Sequence, residues 1–435
     1  MRVEQENTNG AEKKKGAAPA SPRAALSLLE LSVKNIGPFD GASVRFLDGT
    51  DTEEVPVTII TGENGSGKSI LIDAIRGRFG EQFADLERPL WRPRTPFEVH
   101  LTMVREGVFH ETSLTGYGSR NNFTLMDPAL AHLPDDLAHG RVHAPPWVVD
   151  FWRPGLATDS YAISTLSPQN HRLFLAGALQ GRHRNADVTE LLCYFDYLRD
   201  SRDPREKRAG EALYDAARRI VEMSLLDGKL LEVARSTLTP MVQQGAQKVP
   251  LSSLSQGNAY LIQRMIGLLG KMHAVNVLRE EEPERLCLTP GVLLLDEAEN
   301  HLHPRWQKRF LGDVLEVFPS LQIIATTHSP FVVGSVPGAR VFVCRYDPET
   351  QSTAVDDVTG GYADLPVEDI LISPAFDGTE PFGEEISELL QKRREAVERG
   401  DQPAREATEA KLYDRNPRYF SYLKLDERLR ALKAG

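Results

Sequence analysis

The chain has 435 residues, more than one compact core usually holds, so one large α/β domain with insertions, or two domains, is expected. Apolar residues are 41% and charged residues 26%, which excludes wholesale disorder, and no stretch approaches the roughly 18 consecutive apolar residues of a membrane helix. A formal charge of −11 argues against nonspecific coating of nucleic acid, although a local basic groove stays compatible with it.

Residues 1–25 carry no apolar segment of the kind a secretory signal needs and are expected to form a disordered leader. Three scattered cysteines, Cys193, Cys287 and Cys344, give neither a disulfide framework nor a zinc spacing. Together these features predict a cytoplasmic protein without a membrane partner.

Residues 57–69, VTIITGENGSGKS, follow a β-branched strand with Gly62, four residues, then Gly67, Lys68 and Ser69. This is the G-x-x-x-x-G-K-[ST] phosphate-binding pattern in its expected setting. Gly62, Gly65 and Gly67 allow positive φ, so successive N–H groups can turn inward and cradle a phosphate. Lys68 would reach the β- and γ-phosphates, and the Ser69 hydroxyl would bind Mg²⁺. The next stretch, SILIDAIRGRF, is predicted helical with Ile70, Leu71, Ala74 and Ile75 on one face, its positive N-terminal end aimed at the phosphates.

Residues 95–250 begin with strand-like alternation in FEVHLTMVREGVFHETSL, pass a Gly/Pro/His-rich loop, and read as helical from Val188 to Val242. No sustained heptad appears, so a compact lateral lobe is expected rather than coiled-coil arms. The Arg-rich part, residues 182–235, balances 11 basic against 11 acidic side chains, which favours a solvated surface over a nucleic-acid patch. From Asn258 onward, Leu261, Ile262, Met265, Ile266, Leu269 and Met272 keep helical spacing, so Leu254-Ser255-Gln256-Gly257 forms a polar helix start of the type that binds an anion or caps with serine.

Gly291–Leu295 is a continuous aliphatic run, expected of a central strand covered on both faces. It ends in Asp296 and Glu297, carboxylates that are costly at the lip of a core unless a cation meets them. Mg²⁺ shared with Ser69 is the expected partner of Asp296, and Glu297 is the expected general base toward an attacking water. The strand LQIIATTHSP likewise ends in polar residues, and its His328 would contact the γ-phosphate or the water. His301 and His303 also permit a metal reading, which their place after Glu297 and before Pro304 disfavours.

These elements, in this order, resemble ABC-type ATPase heads. The resemblance implies an α/β P-loop head with a mixed sheet, an inserted lobe and a helical C-terminal appendage. It implies ATP contacts at Gly62, Glu63, Asn64, Gly65, Ser66, Gly67, Lys68, Ser69 and Ile70, and a catalytic set of Lys68, Glu297 and His328. It also implies a signature at Ser255, Gly257 and Asn258 serving ATP bound to a second copy, so at least a homodimer. LSQGN departs from the usual LSGGQ at Gln256 and Asn258. The opening LSLLELSVKNIGPFDGASVRF is similar to the first hairpin of RecF-like, OLD-like and chromosome-maintenance ATPases. DEAENHLHP resembles the RecF/OLD form, with His303 at the D-loop position, and VEDILISPAF resembles the ending of a bacterial AAA group of ATP-binding proteins involved in virulence, near the Septu anti-phage defence ATPase.

The implied function is an ATP-binding and hydrolysing sensor of a defence system that controls a separately encoded effector such as a nuclease. A RecF-like DNA repair ATPase, with DNA or RNA as partner, and a structural clamp with slow turnover are the alternatives. The expected organisation is leader 1–25, head 26–94, lobe 95–250, head 251–380 and helical tail 381–435, the tail patterned as helix from Glu384 to Lys433 with breaks near Pro403 and Pro417. Gln169 is the candidate γ-phosphate-sensing glutamine, and Phe39 either borders the adenine or packs in the core.

Overall fold

The computed structural model describes residues 26–49, 54–79, 95–105, 108–117, 145, 147–181, 184–379 and 381–423. The expected leader, most of the Gly/Pro/His-rich loop and the last residues of the tail lie outside this set. Internal contacts divide the chain into two units, Met1–Ala363 and Asp364–Gly435.

The first unit opens with β1 (Leu26–Ile36) and β2 (Phe39–Arg45), followed by β3 (Val57–Gly62) and α1 (Lys68–Arg78). Next come the hairpin β4 (Pro96–Arg105) and β5 (Val108–Tyr117), then β6 (Val148–Trp152). Helices α2 (His171–Ala176), α3 (Asn185–Arg199) and α4 (Pro204–Ser224) lead to the strands β7 (Gly228–Ala234), β8 (Thr239–Gln244) and β9 (Gln247–Pro250). The long helix α5 (Gln256–Leu278) precedes β10 (Gly291–Leu295), α6 (Pro304–Gln307), α7 (Phe310–Val317), β11 (Leu321–Thr326), α8 (Pro330–Val333), β12 (Arg340–Asp347) and β13 (Ser352–Asp357).

Among the described residues the strands form three sheets, ordered β2-β1-β4-β5, β13-β12-β3-β11-β10-β6 and β7-β8-β9. The six-stranded one is the expected mixed sheet: β6, β10, β11, β3 and β12 run parallel, and β13 pairs antiparallel with β12. Its central strands β10 and β11 are buried at every position, as expected of strands covered on both faces; β10 is an unbroken aliphatic run, and β11 is interrupted only by Gln322 before its terminal Thr326. The four-stranded sheet instead alternates, burying Leu31 and Val33 of β1 with Val99, Leu101 and Met103 of β4. Those residues share one core with Leu71, Ile72 and Ile75 of α1 and with Ile60, Val292, Leu294 and Ile324 of the large sheet.

Polar stitches fix this packing. The Gln322 side chain bonds both the N–H and the carbonyl of Leu28 at 2.8 Å, tying β11 to β1 as a surrogate strand pair. Buried Arg76 pairs with Asp73 at 2.6 Å, donates to the Leu179 carbonyl and lies 4.0 Å over the Phe151 ring.

The segment expected as a lateral lobe contributes β4, β5 and β6 to the two larger sheets, and its helices and β7–β9 follow. The helical expectation for Val188–Val242 is corrected beyond Ser224: Gly228–Gln244 is a β-hairpin. Asp227-Gly228 ends the helical period, and Leu230, Val233 and Val242 are its buried β-compatible residues, a pattern too short to separate from helix by periodicity.

In the second unit, α9 (Val367–Leu371) precedes α10 (Glu384–Glu398) and α11 (Gln402–Arg415). Phe382, Ile386, Leu389 and Leu390 pack against Leu412, Phe420 and Leu423. Arg393 and Arg405 both donate to Glu409 at 2.8 Å. The break between the helices falls at Gly400, with φ +68°, and Pro403 sits in the first turn of α11 where its missing N–H costs nothing.

Candidate functional site

Parallel pairing puts the carboxyl ends of β6, β10, β11 and β3 on one edge of the large sheet, and the residues singled out by their chemistry lie there. Beyond β3, Gly62, Gly65 and Gly67 all have positive φ, and α1 starts at Lys68. A Cβ at Gly62 would stand 2.3 Å from the Cys344 carbonyl oxygen, so both backbone angle and close approach demand glycine. Lys68 is buried and donates to the Gly62 and Glu63 carbonyls at 2.9 and 2.8 Å. Burial lowers its pKa, while Cys344, Glu299, Asp296 and Glu297 pull the other way.

Asp296 is 1% exposed. Its Oδ1 accepts from Ser69 Oγ at 2.6 Å and from Thr326 Oγ1 at 2.7 Å. Thr326 Oγ1 also accepts the Glu297 N–H at 2.9 Å. Glu297 has φ +53°, an uncommon backbone for a glutamate and one that sites under functional constraint tolerate. One of its carboxylate oxygens accepts from Asn300 Nδ2 at 2.5 Å. His328 follows β11, and its pKa is lowered by burial first and by Lys68 second, against the opposing pull of Glu299, Glu297 and Asp296. Its neutral ring suits a hydrogen bond to an oxyanion or a water.

Glu299, Thr326, Thr327 and Asn300 also belong to this cluster, though the motif reading passed over them. Glu299 accepts from Thr327 Oγ1 at 2.6 Å and from the His328 N–H at 2.8 Å. The available signals were the second glutamate of DEAEN and the paired threonines closing an otherwise apolar strand.

Three carboxylates, Asp296, Glu297 and Glu299, thus surround one lysine and one neutral histidine. The Ser69–Asp296 pair offers oxygen donors that fit a divalent cation bound beside a triphosphate, and these two residues would hold it. Among the described residues no group of three or more His, Cys, Asp or Glu is arranged to hold a metal ion.

The remaining expected residues sit differently. Ser255 is the N-cap residue of α5 but makes no capping bond; its hydroxyl pairs with Asn258, whose amide donates to the Ser224 carbonyl. A Cβ on Gly257 would meet the His301 carbonyl oxygen at 2.6 Å, so glycine lets α5 approach the turn after β10. His301 Nε2 bonds the Pro154 carbonyl at 3.0 Å, and His303 caps α6 by accepting the Arg305 N–H at 3.2 Å. Gln169 has a buried Oε1 without a hydrogen-bond partner among the described residues. Phe39 is fully buried in the core beside α1.

This sheet, loop and acidic strand end have the arrangement of an AAA/ABC-like ATPase head. Residues 140–334 match the family described as "AAA domain, putative AbiEii toxin, Type IV TA system", and residues 30–111 match an AAA domain. The chain is similar to "Retron Vc95 probable ATPase" of Vibrio cholerae serotype O1 biovar El Tor, with 24% identity over 39% of this chain and 32% of that protein. It is also similar to "Septu protein PtuA" of Bacillus thuringiensis, with 34% identity over 19% of this chain and 21% of that one. These matches span a third or less of the relatives' length. Among solved structures, the SMC head domain from Thermotoga maritima aligns with a TM-score of 0.43 and 18% identity, over 77% of this chain and 99% of that chain. Among the described residues no helix is long and apolar enough to cross a membrane.

Proposed function

We propose that the chain binds ATP with Mg²⁺ and hydrolyses it between two copies, acting as the nucleotide-gated sensor of a bacterial anti-phage defence system. The observation that carries this reading is the 2.6 Å contact between Ser69 Oγ and Asp296 Oδ1, which joins residues 227 positions apart at one sheet edge. Retron and Septu relatives support the defence role, and a separately encoded effector such as a nuclease is the expected downstream partner.

In this mechanism Gly62–Ile70 wraps the phosphates, the backbone N–H groups and Lys68 neutralising charge on the β- and γ-positions. Ser69 and Asp296 would hold Mg²⁺, which would supply further charge neutralisation. Glu297 keeps one oxygen on Asn300 and turns the other to the attacking water, taking its proton as the water oxygen bonds the γ-phosphorus and the bond from that phosphorus to the β–γ bridging oxygen breaks, so that ADP leaves with the electron pair. Neutral His328 donates to the γ-phosphate oxygen. Ser255, Gly257 and Asn258 of the second copy close over the same phosphate, with His303 at the contact between copies.

Glu297→Gln tests the reading. Nucleotide binding should persist while turnover falls by about 10²–10⁴-fold, and size-exclusion chromatography should show an ATP-dependent dimer of the variant. Full turnover in that variant would remove Glu297 from the base role, and a wild-type protein that neither binds nor hydrolyses ATP would refute the function.

A further inference from the structure

Both oxygens of Glu299 are occupied. Oε1 accepts the His328 backbone N–H at 2.8 Å and Oε2 accepts the Thr327 hydroxyl at 2.6 Å. A carboxylate so engaged is poorly placed to take a proton from water, yet well placed to hold a loop. The bonds continue. Thr327 Oγ1 accepts the Ser329 N–H at 3.0 Å, Ser329 Oγ donates to Gln307 Oε1 at 2.6 Å, and Gln307 Nε2 donates to the carbonyls of Leu302 at 2.8 Å and Glu299 at 3.3 Å. The circuit closes on Glu299 and joins three pieces: the turn after β10, the loop after β11, and α6, whose cap is His303.

We propose that Glu299 is a positioning residue: it sets His328 against the γ-phosphate side of the site and links that setting, through Ser329 and Gln307, to the turn bearing His301 and His303. This rests on the ATPase reading above and deepens it. Because the anchor holds the His328 backbone, its loss displaces the imidazole while leaving the phosphate loop and Asp296 in place. A displacement on the order of 1 Å in a group that must meet the transition state costs about 10²-fold in rate.

The experiment compares kcat, KM, nucleotide affinity and melting temperature for wild type, Glu299→Ala, Glu299→Gln, Thr327→Val and Glu297→Gln. Glu299→Ala should lose about 10–100-fold in kcat with nucleotide affinity within about threefold of wild type. Thr327→Val, which removes one of the two anchors, should fall the same way by less. Glu299→Gln keeps an acceptor for the His328 N–H and an amide that can bond the Thr327 oxygen, so it should recover most of the turnover; Glu297→Gln should not.

A Glu299→Gln variant as inactive as Glu297→Gln would overturn the proposal in favour of a charge or proton-transfer role. Wild-type kcat in Glu299→Ala, or parallel collapse of nucleotide affinity and melting temperature in all three Glu299 and Thr327 variants, would overturn it too. A wild-type protein without turnover would sink the ATPase reading and this one with it, whereas an active wild type beside an unaffected Glu299→Ala sinks only this one.

Discussion

Thr326 makes the most of one hydroxyl. It is fully buried, donates to Asp296 and accepts from the Glu297 backbone, so two groups assigned to metal and base are held by a third with no chemistry of its own. Valine has nearly the same shape but strands the Glu297 N–H and takes a donor from Asp296. Thr326→Val should therefore cost about 1–3 kcal/mol of stability, read from urea unfolding, and raise the Mg²⁺ concentration needed for half-maximal turnover. Thr326→Ser should restore both, and an unchanged Mg²⁺ requirement in Thr326→Val would show that the hydroxyl does not support Asp296. The glycines, lysine, serine and Asp296 were legible in the sequence because phosphate and cation binding need those types at fixed spacing. Thr326 and Glu299 were not, because their roles depend on β11 lying beside β10, and strand order is set by packing rather than by local pattern.

At the scale of elements, the β-branched and aliphatic stretches Val57–Thr61, Gly291–Leu295 and Leu321–Thr326 announce the central strands, whereas β6 is concealed by the acid in its middle. Asp150 is completely buried, and α5 supplies the reason: Lys271 Nζ lies 2.6 Å from Asp150 Oδ1, while Trp152 Nε1 and the Phe151 N–H complete the carboxylate's partners. A sequence of helical spacing shows that α5 has an apolar face, but not that it is buried nearly all round, nor that a lysine within it is paired. Lys271→Met leaves the carboxylate buried beside neutral donors and should cost about 3–5 kcal/mol, seen as a lower urea midpoint. Asp150→Asn with Lys271→Met removes both charges, keeps an acceptor for Trp152 Nε1, and should regain part of that loss. If the double variant is no more stable than Lys271→Met alone, the lysine contributes by packing rather than by pairing.

Over the whole folded unit, acid sensitivity should be governed by a histidine that folding strips of water. His273 of α5 is 4% exposed and its Nε2 has no hydrogen-bond partner among the described residues. It lines a cavity of about 390 Å³ with His171, Tyr194, Asp203, Arg205, Glu206 and Glu281. Burial, with a smaller push from His171, lowers its pKa to about 3, against 6.5 ordinarily, and burial lowers that of His171 as well. Below pH 6.5 the unfolded chain therefore takes up a proton that the folded chain refuses until about pH 3. Stability is retained above pH 6.5 and declines as pH falls through this window, by about 1.4 kcal/mol per pH unit for a single such group. Asp203 and Asp347, held below the ordinary carboxylate range by hydrogen bonds, act in the same direction only at lower pH. Between pH 6.5 and 4.5, then, His273→Phe should flatten the dependence of unfolding free energy on pH while keeping ring volume. An acid slope equally steep in this variant would place the sensitivity elsewhere in the unit.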